Sequence, residues 1–159
     1  LNYKKIMKKN NLYNFENIID IGSNSGNWTI LFKILYRNCN FFLIEADKKH
    51  SSRIRMISKD YHIGVLDKSI SSKKFYIYDV FNGTGSSLFK EKSNHDFTLK
   101  KMKTSTLDKI IYKKFKKKKY DLIKLDTQGS ELNILKGGIK TLKKTRYLIT
   151  EIHFKNYNI

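Results

Sequence analysis

The stretch Ile18-Ile19-Asp20-Ile21-Gly22-Ser23-Asn24-Ser25-Gly26-Asn27-Trp28 decides the fold. Its first four residues are an apolar, β-branched run carrying one acid, and Gly22 ends it, which is the pattern of a short buried strand. From Gly26 to Tyr36 the chain is apolar for long enough to form a buried helix. Strand, glycine turn and helix in that order make a ligand-binding unit, because the glycines allow a tight turn and close ligand approach. The first turn of the helix adds free N–H groups and partial positive charge, which suit a carboxylate or phosphate. Spacing excludes two familiar forms of this turn. A P-loop needs Gly-Lys-Ser/Thr, which occurs nowhere in the chain. A dinucleotide fingerprint needs Gly-x-Gly-x-x-Gly, whereas three residues separate Gly22 from Gly26.

Outward from this unit, strands and helices alternate. Asn40–Glu45 is a second buried strand, and residues 48–59 form a helix with Ile54 and Ile57 on one face. Residues 61–66 form a third strand, residues 74–80 an added strand, and residues 83–87 (GTGSS) a loop. Ser105 and Asp108 have the spacing of a helix start in which hydroxyl and carboxylate satisfy free N–H groups. The lysine run 113–119 is a solvated helix end. Residues 121–126 (DLIKLD) are the fourth core strand, and residues 130–144 an amphipathic helix with Leu132, Leu135, Ile139 and Leu142 near one face. Gly137-Gly138 weakens that helix or lets it pack closely. Residues 147–154 (YLITEIHF) are the last strand. Apolar strands alternating with helices predict an α/β fold with a doubly wound, mostly parallel sheet covered on both faces. A polar lead-in over residues 1–17 precedes a single domain over residues 18–159.

Composition narrows the setting more than the function. The single cysteine, Cys39, cannot form an internal disulfide, so a reduced, cytoplasmic setting is expected. No apolar run approaches the length of a membrane span. The net charge is +19, but 29 of the 33 basic residues are lysine, alanine occurs once and proline never. Lysine, asparagine, isoleucine, tyrosine and phenylalanine have A/T-rich codons, so a biased genome explains much of the excess. Sequence-specific nucleic-acid readers favour arginine for its bidentate fork. Nucleic acid is therefore the disfavoured partner, and a small-molecule or glycan the favoured one.

Asp20, Gly22 and Gly26 give Asp-x-Gly-x-x-x-Gly, which is similar to the first motif of Rossmann-like methyltransferases. Glu45 ends the second strand 25 residues after Asp20, where a carboxylate can accept hydrogen bonds from both hydroxyls of a ribose. Together they point to S-adenosylmethionine. The whole of residues 18–153 resembles the FkbM-type methyltransferase family. DIGSNSG resembles its DxGANxG turn, FLIEAD its second-strand acidic motif, and SSL (86–88) and STLD (105–108) its middle motifs. DLIKLDTQGSELNILKGG resembles its long fourth-strand signature. The resemblance implies S-adenosylmethionine binding and O-methylation of sugars or other small hydroxyl-bearing acceptors. Ser23 and Ser130 stand where the family often has alanine. Methyltransferases of this fold usually have seven strands, so a chain stopping after the fifth, and beginning with Leu1, is expected to be part of a longer protein or a minimal variant lacking the last strands. Its fifth strand would then be an exposed apolar edge.

Asp20, Gly22, Ser23, Asn24, Gly26, Glu45, Ala46 and Asp67 are the expected cofactor-binding residues, Asp67 by reaching the adenine amino group. Ligands of such sheets bind beyond the carboxyl ends of the strands at the switch point, which sets Gly22 beside Asp126. Asp126 is the expected catalytic or acceptor-orienting carboxylate, with Glu151 and His153 as alternative bases on the neighbouring strand. Lys124 shares a strand face with Asp126 and could pair with it. Glu131 complements a helix dipole. His50, His62 and His95 have no metal-ligand spacing, and no metal is expected. Two other functions fit parts of the sequence: a ribose-directed RNA methyltransferase, and a non-catalytic cofactor-binding module. A nicotinamide oxidoreductase fits less well.

Overall fold

The computed structural model describes residues 14–78, 86–90 and 94–151. Among them, β1 (Asn17–Ile21), β2 (Asn40–Glu45), β3 (Tyr61–Ile63), β7 (Tyr120–Leu125) and β8 (Thr145–Thr150) form one sheet in the order β3-β2-β1-β7-β8. Every pairing in it is parallel. A second sheet of three strands has the order β4-β6-β5, from β4 (Val65–Leu66), β5 (Ser72–Tyr78) and β6 (Phe97–Ser105). The α/β, doubly wound, Rossmann-like architecture read from the alternating pattern is thus the observed one.

Strand periodicity sorts the core into two layers. Ile19, Ile21, Phe42, Ile44, Ile123 and Leu125 face one side, covered by Leu107, Ile110 and Ile111 of α3 (Leu107–Lys114) and Ile134 of α4 (Glu131–Lys136). Ile18, Phe41, Leu43 and Leu122 face the other, covered by Phe32 of α1 (Asn27–Leu35) and Ile54 of α2 (Ser51–Ile57). Each such fully buried side chain contributes roughly 1.5–3 kcal/mol. At the amino end of the sheet, buried Asp121 accepts hydrogen bonds from the N–H groups of Glu16 (2.8 Å) and Asn17 (3.1 Å) and from Arg146 Nη1 (3.2 Å). Burial alone would raise the Asp121 pKa, but these donors outweigh it and hold it below the usual range.

Several elements differ from the sequence reading. Residues 61–66 are not one strand. The chain pairs β3 with β2, passes Gly64, and pairs β4 with β6 in the second sheet. β6 was not anticipated, because FTLKKMKTS is mostly exposed and lacks apolar alternation. The helix expected over residues 48–59 is a 3₁₀ turn, Lys48–His50, followed by α2. The helix expected over residues 130–144 is two, α4 and α5 (Ile139–Leu142). A Cβ on Gly137 would collide with the Asp67 carbonyl, so the close packing of that break requires glycine. The cap of α3 is Thr106, whose Oγ1 accepts from Lys109 N–H at 3.2 Å. Asp108 instead caps α5, accepting from the N–H groups of Lys140 and Thr141 and from the Thr141 hydroxyl. The lysine run 113–119 is interrupted by Phe115, buried against Phe42. β8 begins two residues earlier than expected, and its Tyr147 and Leu148 are exposed. Residues 79–80, 83–85 and 152–154 of the expected elements lie outside the described residues.

Candidate active site

The site lies at the carboxyl ends of β1, β2 and β7, where the crossovers from β1 and β7 depart to opposite faces of the sheet. The turn after β1 is built by hydrogen bonds to its neighbour. The N–H groups of Gly22 and Ser23 both donate to the Ile44 carbonyl, at 2.9 and 3.1 Å, and Gly26 N–H donates to the Ser23 carbonyl at 2.8 Å. Gly22 has φ +72°, and a Cβ there would fall on the carbonyl oxygen of Asp126, so only glycine lets the β1 and β7 loops touch. Asn24, also at positive φ, turns its N–H onto Glu45 Oε2 at 2.7 Å. Glu45 Oε1 accepts from Asp47 N–H at 2.8 Å. Burial raises the Glu45 pKa, and these N–H contacts only partly offset it.

Beneath the turn sits a buried charge cluster. Asp20 is fully buried and accepts a hydrogen bond from the Thr29 hydroxyl of α1 at 2.7 Å. Lys124 Nζ lies 3.3 Å from Asp20 Oδ1 and 3.4 Å from Asp126 Oδ2, and donates to the Gly22 carbonyl at 3.0 Å. Burial works against the Lys124 charge, but the two carboxylates outweigh it and raise its pKa. Lys124 therefore pairs with Asp126 as the shared strand face suggested, and with Asp20 as well.

Next to this cluster, Gln128 Nε2 donates to Asp126 Oδ1 at 3.3 Å. Glu131 Oε1 accepts from both the N–H (2.8 Å) and hydroxyl (3.1 Å) of Thr127, so it clamps this loop rather than merely complementing a helix dipole. Buried Ser87 donates to the Gln128 carbonyl at 2.7 Å and accepts from Phe89 N–H, tying the 86–89 segment to the loop after β7.

These elements enclose a cavity of about 400 Å³, within the range of small-molecule sites. Ile44, Val65, Leu66 and Phe75 supply apolar wall; Ser23, Asn24, Glu45, Ser86, Lys124 and Asp126 supply polar groups. Of the residues expected at the site, Gly22, Ser23, Asn24, Glu45, Ala46 and Asp126 line this one cavity. Asp20 and Gly26 support it from behind, Gly26 packing against Ile57. Asp67 does not line the cavity: its side chain is fully buried and lies 2.6 Å from Lys73 Nζ. Glu151 is exposed just past β8 and does not line the cavity, while His153 lies outside the described residues. Phe75, Ser86, Leu88 and Gln128 also line it. Sequence reading gave them no role. The SSL and DTQG motifs marked Ser86, Leu88 and Gln128, but nothing marked Phe75.

Among the described residues no group of three or more His, Cys, Asp or Glu side chains could hold a metal ion, and no helix is long and apolar enough to cross a membrane.

The donor set suits S-adenosylmethionine. The Ser23 hydroxyl is buried in the cavity wall without a hydrogen-bond partner, an acid stands at the end of β2, and the apolar wall can take an adenine.

Two curated relatives are both described as ribosomal RNA small subunit methyltransferase G. That of Brachyspira hyodysenteriae is 28% identical over 139 residues, covering 86% of this chain and 67% of the relative. That of Mycoplasma mobile is 32% identical over 65 residues, covering 40% of this chain and 29% of the relative. The model of the methyltransferase FkbM domain matches residues 20–159, nearly the whole chain. With the parallel sheet and the site at its switch point, this match establishes that the chain belongs to the FkbM methyltransferase domain family.

Proposed function

We propose that the chain is an S-adenosylmethionine-dependent methyltransferase that methylates a hydroxyl on a sugar, glycan or small metabolite. The observation that carries this reading is the junction of the β1 turn with the β2 acid: Asn24 N–H meets Glu45 Oε2 at 2.7 Å on the wall of one cavity. In this reading Glu45 accepts the ribose hydroxyls, and Ile44, Val65 and Leu66 pack on the adenine. The Ser23 hydroxyl and the first turn of α1 receive the carboxylate of the amino-acid end. The cofactor supplies a methyl group already activated on a sulfonium, so the protein has mainly to align it. Asp126 takes the acceptor's hydroxyl proton or orients that hydroxyl, and Lys124 and Gln128 fix the direction of its carboxylate. The buried Lys124–Asp20 pair keeps this arrangement rigid.

Calorimetric titration tests the reading. S-adenosylmethionine should bind wild type, NAD should not, and Glu45→Ala should weaken binding by about 10–100-fold, the value of a hydrogen bond to a charged group. Equal affinities would remove the ribose assignment. Binding without turnover on a panel of hydroxylated acceptors would favour a non-catalytic module. A second reading, methylation of a ribose hydroxyl in RNA, takes its RNA acceptor from the names of the two relatives, which mention ribosomal RNA and no particular atom of it. It requires RNA affinity that falls steeply with salt.

A further inference from the structure

The hairpin of β5 and β6 carries charge that its own side chains do not neutralise. The two strands hold Lys73, Lys74, Lys100, Lys101 and Lys103 and no Asp or Glu. Their antiparallel register sets Lys74 directly opposite Lys101 and Ser72 opposite Lys103, so Lys74, Lys101 and Lys103 share one face. All three are exposed, and none forms an ion pair among the described residues. Lys73, on the opposite face, is the lysine of this hairpin that pairs with Asp67. Like charges directly opposite one another destabilise a strand pair. A lysine-rich composition scatters lysines over a surface; it does not account for two set across from each other where the hairpin must bear their repulsion.

The other half of the same face is aromatic and apolar. Tyr76 stands opposite Leu99 and Tyr78 opposite Phe97. Phe97 is 39% exposed and Leu99 45% exposed. The Phe97 ring meets Tyr76 edge-on at 5.3 Å and lies 5.7 Å from Tyr78, with Lys90 Nζ 5.3 Å from its centroid. These contacts hold a part-exposed ring beside the lysines. From Phe97 to Lys103 the face is about 20 Å long.

We propose that this face is a docking surface for single-stranded RNA, with Lys74, Lys101 and Lys103 taking phosphates and Phe97, flanked by Leu99 and Tyr76, stacking a base. Lysine and stacking suffice for single strands, whereas duplex readout favours the arginine fork that this face lacks. The inference deepens the RNA reading above and is measured without cofactor, so it can fail while cofactor binding holds.

The test is fluorescence anisotropy of the full chain with a labelled 12-nucleotide oligouridylate between 50 and 250 mM salt. Lys74→Gln/Lys101→Gln/Lys103→Gln is compared with Lys113→Gln/Lys116→Gln/Lys118→Gln, which removes equal charge from exposed lysines at the end of α3. The hairpin variant should bind at least tenfold more weakly at 100 mM salt. Its slope of log affinity against log salt should fall by about 2, as expected for three lost phosphate contacts on a single strand. Phe97→Ala should weaken binding at least fivefold with the slope unchanged. The α3 variant should change affinity less than threefold. The hairpin variant should melt at or above the wild-type temperature, since a repulsion has been removed, and should bind S-adenosylmethionine as wild type does. Equal losses in the two triple variants would show diffuse charge and overturn the proposal. No RNA binding would overturn it, as would loss confined to phosphatidylserine vesicles.

Discussion

Replacing Lys124 with methionine keeps the length and apolar stem of the side chain and removes only the ammonium. That ammonium lies 3.3 Å from one oxygen of a fully buried Asp20, 3.4 Å from Asp126, and 3.0 Å from the Gly22 carbonyl. Without it the Asp20 carboxylate stays buried with the Thr29 hydroxyl as its remaining named donor. Removing one partner of a buried pair costs about 3–5 kcal/mol, about a fifth or more of the roughly 5–15 kcal/mol stability of an ordinary domain. At about 2–4 °C per kcal/mol for a chain of this size, the midpoint should fall by about 6–20 °C. Thermal unfolding followed by the fluorescence of the single tryptophan, Trp28, reads the midpoint, and urea unfolding reads the free energy. The double variant Lys124→Met/Asp20→Asn separates the cause, because it removes the stranded charge as well. It should recover at least half of the loss, giving a non-additive cycle. The pKa of Lys124 is raised in the folded state, so its contribution is complete below the ordinary lysine range and disappears as pH rises through the folded value. The deficit of Lys124→Met should therefore be flat from pH 6 to 9 and shrink at more alkaline pH. A single variant within 1 kcal/mol of wild type, or an additive double variant, would refute the account of a buried charge cluster held by Lys124.

Three further outcomes are expected. Burial raises the Glu45 pKa, so the folded state holds its proton to higher pH than the unfolded chain does, and Glu45 costs stability as pH rises through that window. S-adenosylmethionine affinity should rise over the same window, and Glu45→Gln should lose both dependences in calorimetry and melting. Burial, with a smaller contribution from the Lys114 charge, lowers the His62 pKa from 6.5 to about 4. Stability that is complete above pH 6.5 should be lost as pH falls towards 4, by about 1–2 kcal/mol after solvent screening, and His62→Gln should flatten that limb of the profile. Gly22→Ala, at φ +72° with a Cβ on the Asp126 carbonyl, should cost about 2–5 kcal/mol and abolish cofactor binding in the fraction that remains folded.

The parallel sheet was legible because its strands advertise themselves: residues 18–21, 40–45 and 121–125 are apolar runs between turn residues, and each is observed within a residue of its expected bounds. The local turn chemistry around Gly22, Asn24 and Glu45 could be read for the same reason, since spacing along one strand and its neighbour fixes which ends meet. What escaped reading depends on contacts between distant segments. β6 is a strand because β5 pairs with it, not because its lysines alternate with apolar residues. Asp108 looked like a cap for its own helix and instead caps α5, some thirty residues on. The pairing of Asp67 with Lys73 likewise joins a turn to the second sheet. Phe75 reaches the cavity only because the second sheet folds over the first, which no periodicity announces.

The passage of the chain across Gly64 divides authorship of the cavity between two sheets. Ser23 and Asn24 of the turn after β1 and Glu45 at the end of β2 belong to the five-stranded sheet, whereas Phe75 belongs to the lysine-bearing hairpin and Ser86 and Leu88 to the segment bridged to it. Drift in the hairpin can thus reshape what the cavity admits opposite Asp126 without disturbing a single hydrogen bond of the turn after β1.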